Sequence, residues 1–328
     1  MKKYLSFILF ITFSLSVFSQ TPIEKGLASF DKKDAEKFIG ILASDSLEGR
    51  AGGTTGGMKA ADYLKSIFEE YGIKPWVKGY FQPFGIDNSR KTVSLDKAKI
   101  GSPQMRNILG TIRGKNANEV VIIGAHYDHL GVRKNRTNDS IYNGADDNAS
   151  GVAGVLQVAK AFVASGQQPK RTIIFALWDG EEMGLLGSFY FTEDYYNNVQ
   201  PPLLEPAQIK GYINLDMIGR DKNDTETTHV INYLSTDKPV FKEWVQSAIS
   251  TYDLKLEPDF QGLENLPGGS DHMPFQMKGV PIIYYFTDLH KDYHKPSDHA
   301  DKINYTKLTE ISKISFLNLW NLANLDDY

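Results

Sequence analysis

Residues able to do chemistry recur at the ends of apolar runs: His126-Tyr127-Asp128, Asp146-Asp147, Glu181-Glu182, Asp216 and, in a later loop, His294. An open α/β sheet gathers its ligands beyond the carboxyl ends of its strands, so residues placed this way would converge. Histidine together with several carboxylates is the donor inventory of a two-zinc hydrolase. The chain has no cysteine. That removes thiol nucleophiles and cysteine-ligated metals, and leaves His, Asp and Glu to hold any ion.

Each motif has an ordinary reading as well. His126 closes the run from Glu119, and a lone histidine there is more often structural than a ligand. Asp128, two residues on, could accept the other imidazole N–H and fix the tautomer. Asp146-Asp147 precede a helix that Asn148 or Ser150 could cap without them. Two adjacent like charges then need another cause, and a dication would relieve their repulsion. Glu181-Glu182 suits the start of a helix, but a glutamate pair also allows one carboxylate to bind metal while the other acts as general base. Asp216 lies in the apolar run Asn214-Leu215-Asp216-Met217, where an unpaired carboxylate is costly.

The elements that must position these residues follow from periodicity. Helices are expected over 34–42, 55–71, 150–164, 182–191, 238–252, 270–277 and 305–322. Buried strands are expected over 119–125, 171–178, 209–218, 228–234 and 281–287, with one or two weak edge strands between 77 and 110. Ser44–Gly53 reads as a polar, glycine-rich loop. Strands alternating with helices predict an α/β fold, a three-layer αβα sandwich whose mixed, mostly parallel sheet carries helices on both faces.

At 328 residues, with 41% hydrophobic and 23% charged residues and a net charge of −4, the chain carries no polybasic signature for nucleic acid or anionic lipid. Lys2-Lys3, the apolar run Tyr4–Phe18 and Ser19-Gln20-Thr21 read as a secretory signal peptide over residues 1–19. The run is shorter than the roughly 20 residues of a membrane span, so no stable membrane anchor is expected after cleavage. A single domain over 20–328, folded without disulfides in the periplasm or outside the cell, is the expectation.

The chain resembles the secreted co-catalytic dizinc aminopeptidase family, whose wider superfamily includes glutamate carboxypeptidases and glutaminyl cyclases. The resemblance runs from about Leu42 to Ile303. It is carried by Gly124-Ala-His126-Tyr-Asp128-His-Leu-Gly131, Asn143-Gly-Ala-Asp146-Asp147-Asn-Ala-Ser-Gly151 and Trp178-Asp-Gly-Glu181-Glu182-Met-Gly-Leu-Leu-Gly-Ser188. Leu215-Asp216-Met217, Gly269-Ser270-Asp271-His272 and His294-Lys-Pro-Ser-Asp298 also match. The resemblance implies two Zn²⁺ ions bridged by Asp146, with His126 and Asp216 completing one and Glu182 and His294 the other. It implies Glu181 as general base beside a metal-bridging hydroxide and a cis peptide between Asp146 and Asp147; Asp128, from its place beside His126, joins Glu181 as a candidate catalytic residue. Three carboxylates and one hydroxide would balance two dications.

The implied activity is exopeptidase hydrolysis, with peptides bearing a free N-terminus as substrates. A tyrosine that precedes the Ser-Asp-His stretch in some family members is missing at Leu266-Pro267-Gly268-Gly269, and Tyr284, Tyr285 and Tyr293 are the nearby candidates for a carbonyl-polarising group. His129, His272 and His299 read as supporting the metal ligands or as structural, and His229 as a strand surface residue. A carboxypeptidase or dipeptidase would need a cation for the substrate carboxylate, and Arg133, Arg136 and Arg220 lie near site segments. The remaining rivals are a one-zinc glutaminyl cyclase and a non-enzymatic binding protein.

Overall fold

The computed structural model describes residues 20–87, 92–94, 104–133, 139–193 and 208–328; the expected signal segment 1–19 and Arg136 lie outside them. In chain order the strands are β1 (Lys74–Pro75), β2 (Phe81–Asp87), β3 (Thr92–Ser94), β4 (Gln104–Ile112), β5 (Asn116–His126), β6 (Gly131–Val132), β7 (Ile141–Tyr142), β8 (Arg171–Trp178), β9 (Ile209–Leu215), β10 (His229–Leu234), β11 (Glu257–Gly262) and β12 (Ile282–Phe286). The helices are α1 (Pro22–Leu27), α2 (Lys32–Leu42), α3 (Thr55–Glu70), α4 (Gly151–Ser165), α5 (Leu186–Glu193), α6 (Val240–Tyr252), α7 (His272–Gln276) and α8 (Tyr305–Asn324).

One large sheet has the order β11-β10-β12-β9-β5-β8-β4-β2-β3, with β1 paired to β4. Its centre, β8-β5-β9-β12, is parallel, and antiparallel strands flank it. Central strands are buried on both faces, which is why they read as unbroken apolar runs rather than alternating ones. Successive side chains still point to opposite faces. Val121, Ile123, Phe175, Ile213 and Tyr285 join the core beneath α2, α3, α4, α6 and α8. Ile122, Ile174, Trp178, Tyr212 and Tyr284 join a second core on the opposite face, with Phe191 of α5 and Phe275 of α7. The expected three-layer αβα architecture is therefore the observed one.

The register levels the strand ends. His126 pairs with Trp178 across β5 and β8, and Leu215 with Tyr285 across β9 and β12. The residues that follow these strands emerge along one edge of the sheet.

Three local expectations need correction. The helix expected over 182–191 is split into a 3₁₀ turn at Glu181–Met183 and α5, because Gly184 and Leu185 take left-handed φ values of 104° and 59°. Strand β9 stops at Leu215, one residue before Asp216. Strand β11, whose sequence EPDFQG has no apolar alternation, adds a parallel edge to β10. No helix among the described residues is long and apolar enough to cross a membrane.

Candidate active site

His126, at the tip of β5, points its Nε2 between two carboxylates, 3.4 Å from Asp147 Oδ1 and 3.5 Å from Asp216 Oδ1. On the far side of Asp147, His294 Nε2 lies 3.1 Å from Asp147 Oδ2 and 3.2 Å from Glu182 Oε2. Asp147 therefore offers one oxygen to each half of a two-part cluster. His126, Asp147 and Asp216 have ligand atoms within 4.8 Å of one another, as do His129, Asp147 and Glu182. His129, read from sequence as a supporting or structural histidine, is buried behind Glu182 with Nδ1 2.7 Å from Oε1.

The shared carboxylate is Asp147, not Asp146. The two adjacent side chains diverge. Asp146 is turned inward, where Oδ1 accepts a hydrogen bond from the Gly219 N–H at 2.7 Å and Oδ2 faces His290 Nε2 at 3.2 Å. Spacing alone could not separate two neighbouring aspartates; the anchors that do so, Gly219 and His290, are distant in sequence. The cis peptide is likewise one residue further on, between Asp147 and Asn148.

Asp128 also acts differently from expectation. The other imidazole nitrogen of His126 lies 3.2 Å from the Asp128 main-chain oxygen, whereas the carboxylate is 3.8 Å away. That carboxylate instead accepts the Glu181 and Glu182 N–H groups at 3.1 and 3.4 Å. It therefore fixes the turn that presents both glutamates. Glu181 stands over the cluster, with Oε2 3.9 Å from His126 Nε2.

Supporting contacts hold the Asp147 and Asp216 donors. Asp298, the last residue of the His294-Lys-Pro-Ser-Asp stretch, is buried and accepts N–H groups from Asp146 and Asp147. Ser270 donates to Asp216 Oδ2 at 2.7 Å and accepts from Asn214. Asn214 in turn accepts from Tyr212, which accepts from the indole of Trp178.

Burial dominates the electrostatics. It raises the Glu181 carboxyl well above its ordinary value, with nearby acids adding to the effect. It likewise raises Asp271 and Asp298 to about 7. Burial opposes charge on His126 and His294, but facing carboxylates outweigh it, raising His126 well above its ordinary range and His294 to about 9. Burial lowers His272 to about 4 and also lowers His129. For Glu182, His129 and His294 outweigh burial and hold the carboxyl far below the usual range.

A pocket of about 280 Å³ opens over the cluster. His126, Asp147, Glu181, Asp216 and His294 form its polar floor; Met217, Leu266, Tyr284, Phe286, Leu289 and Tyr293 form apolar walls. Tyr284 and Tyr293, two of the tyrosines singled out from sequence, reach this pocket. Tyr285 points to the opposite face and bonds Asn318 in the core. No lysine or arginine lines the pocket among the described residues. Arg220 is tied to Asp224 and Asp292, and Arg133 lies over the Tyr142 ring.

Residues 107–318 match the family model described as Peptidase family M28. The chain belongs to that family. Among M28-like relatives, it is 27% identical over 291 residues to leupeptin-inactivating enzyme 1 of Streptomyces exfoliatus, covering 88% of this chain and 56% of that protein. It is 29% identical over 220 residues to a glutamate carboxypeptidase 2 homolog of Caenorhabditis elegans, covering 61% of this chain and 26% of that protein. The chain thus spans about half the length, or less, of these curated relatives. The structure of the Legionella pneumophila LapA aminopeptidase matches the fold with a TM-score of 0.71 at 21% identity, covering 100% of this chain and 81% of that one.

The donor set fits divalent cations. Asp147 Oδ2 and Glu182 Oε1 are buried without a hydrogen-bonding partner, although imidazole nitrogens lie close by. Nitrogen and oxygen atoms that approach without donating to one another are arranged as fellow ligands. Imidazole and carboxylate donors in this number suit zinc.

Proposed function

We propose that this protein is an exported zinc-dependent aminopeptidase that releases residues from the free N-termini of peptides. The observation that carries the reading is the composition of the pocket: a carboxylate-rich floor with no cationic side chain in its lining among the described residues. With the metal-holding carboxylates balanced by the ions, the lining offers a C-terminal carboxylate no side-chain cation to pair with, whereas an α-ammonium group needs none. This favours aminopeptidase over carboxypeptidase chemistry. The apolar walls suit a non-polar N-terminal side chain.

His126, Asp147 and Asp216 would hold one zinc, and Asp147, Glu182 and His294 the second. Bound there, the ions would supply Lewis acidity and a water nucleophile at neutral pH. Glu181 is the general base: it takes the proton of the attacking water and hands it to the departing amine. Its raised carboxyl pKa suits a group that must hold that proton near neutral pH. Asp128 holds the Glu181 main chain in place during the transfer. The signal-like segment 1–19 supports a periplasmic or secreted location.

The test is mass spectrometry of a peptide pool incubated with the mature protein, with and without chelator. The pool contains free, N-acetylated, C-amidated and N-terminal-Gln peptides. Stepwise loss from free N-termini, stopped by acetylation and by chelator, is expected. Loss from C-termini stopped by amidation would establish a carboxypeptidase instead, and ammonia loss from Gln peptides without cleavage a cyclase.

A further inference from the structure

We infer that Arg50, in the glycine-rich loop Ser44–Gly53, is a positioning residue that sets the geometry of the metal donors from beneath. The inference rests on the metal-site reading above. Arg50 is fully buried. Its Nε donates to the main-chain oxygen of Tyr127 at 2.7 Å. Nη1 donates to those of Leu42, at 3.1 Å, and Asn143. Nη2 donates to those of Gly144, at 2.6 Å, and Asp147, at 3.2 Å. A guanidinium has five N–H donors in a rigid plane, so each one meets a backbone carbonyl and none meets a carboxylate. Tyr127 follows His126, and Asp147 is the shared donor itself. One planar group therefore ties together the backbone of both halves of the cluster and the end of α2.

The loop is shaped to deliver this group. Glu48, Gly49 and Arg50 take consecutive left-handed φ values of 50°, 63° and 39°. A residue with a Cβ is strained in that region, and such outliers persist where the surroundings enforce them. A Cβ on Gly49 would stand 2.5 Å from Tyr142 O and 2.6 Å from Gly131 O, so the loop is pressed against the β6–β7 hairpin. Asn143 locks the same segment from the other side, donating to Ala43 O at 2.8 Å and Asp45 Oδ1 at 2.9 Å.

Charge and geometry make opposite predictions. A buried cation near Asp147, Asp128 and Glu182 would repel a bound dication. If Arg50 acted through charge alone, its loss would tighten zinc binding. If it acts by holding the donors, its loss weakens binding. Arg50→Lys keeps the charge but has three donors on a flexible stem, and cannot hold five carbonyls.

The experiment is a zinc titration, by competition with a chromophoric chelator, on metal-stripped wild type and Arg50→Lys whose folding is checked by circular dichroism. A zinc Kd weakened roughly 10–100-fold is expected, the range seen when groups supporting metal ligands are removed. Wild type that takes up no zinc would sink the metal-site reading, and this inference with it. Zinc uptake by wild type with unchanged affinity in folded Arg50→Lys would overturn the inference alone. Ile314→Val, in the core of α8, serves as a destabilised control; an equal loss of zinc affinity there would assign the effect to stability and also overturn it. Should Arg50→Lys fail to fold, NMR of the metal-stripped wild type decides. Resolved, slowly exchanging Arg50 Nη protons support a preformed clamp, and averaged, rapidly exchanging ones refute it.

Discussion

Replacing each of the adjacent aspartates by asparagine should separate two roles that sequence spacing merges. Asp147 presents Oδ1 to the His126 half of the cluster and Oδ2 to the His294 half. In Asp147→Asn the side chain keeps one neutral oxygen and turns an NH₂ group, which cannot ligate, toward the other half. This variant should therefore lose zinc affinity by more than the roughly 10–100-fold typical of supporting groups. Its metal-free fold should be less stable than wild type, because the carboxylate that faces the His126, His129 and His294 imidazoles is gone. Asp146→Asn should instead keep its zinc, because both Asp146 oxygens are turned away from the cluster. His290 Nδ1 accepts the Asp292 N–H, which leaves the proton on Nε2, facing Asp146 Oδ2 at 3.2 Å. The amide in Asp146→Asn can keep its oxygen on the Gly219 N–H, which turns a buried NH₂ toward His290 Nε2, where Asp146 Oδ2 already lacks a hydrogen-bond partner. A buried NH₂ with no acceptor costs about 1–3 kcal/mol, or about 1–2 °C in melting temperature for each kcal/mol in a chain of this length. The assay is zinc content after dialysis, with urea unfolding of the metal-stripped variants. Zinc lost from Asp146→Asn and retained by Asp147→Asn would refute the reasoning.

Three further outcomes are expected. Glu181→Gln should keep its zinc and lose about 10²–10⁴ in turnover; near wild-type turnover with metal bound would remove Glu181 from its role. Between pH 6.5 and 9 the metal-stripped protein should lose stability as pH rises, because His294 (about 9), Asp298 and Asp271 (each about 7) have folded pKa values above their unfolded ones. His272 and His129, which are shifted down, oppose the trend only near pH 6.5, where their unfolded imidazoles are still half protonated, and are outweighed there by the raised groups. Added zinc should flatten or reverse the slope, since its ligands must be deprotonated; a metal-free urea midpoint that climbs through this window would contradict the assignment. Phe286→Ala, which enlarges an apolar wall of the pocket, should shift preference toward bulkier N-terminal residues by about 1–3 kcal/mol in relative kcat/KM, measured on a dipeptide series.

The parallel centre of the sheet was legible because fully buried strands must be continuously apolar: Arg171–Trp178 has the expected bounds, and His126 ends its strand. Edge strand β11 was not legible, since half-exposed polar residues carry no periodic signal. Nor was the break after Met183, which depends on the left-handed conformations of Gly184 and Leu185. At the site, residue types and order pointed to the right edge of the sheet. The choice between Asp146 and Asp147 was beyond spacing, because it depends on Gly219, His290 and Asp298, brought together only by folding. Arg50 gave no metal-site signal in sequence, because all its partners are backbone carbonyls, and every residue type has one.

The most direct test of the two-ion site is anomalous X-ray diffraction at the zinc edge from crystals of zinc-loaded protein. Two peaks flanking the Asp147 carboxylate are predicted, one within reach of His126 and Asp216 and the other of Glu182 and His294. A single peak, or a pair centred on Asp146, would contradict the account.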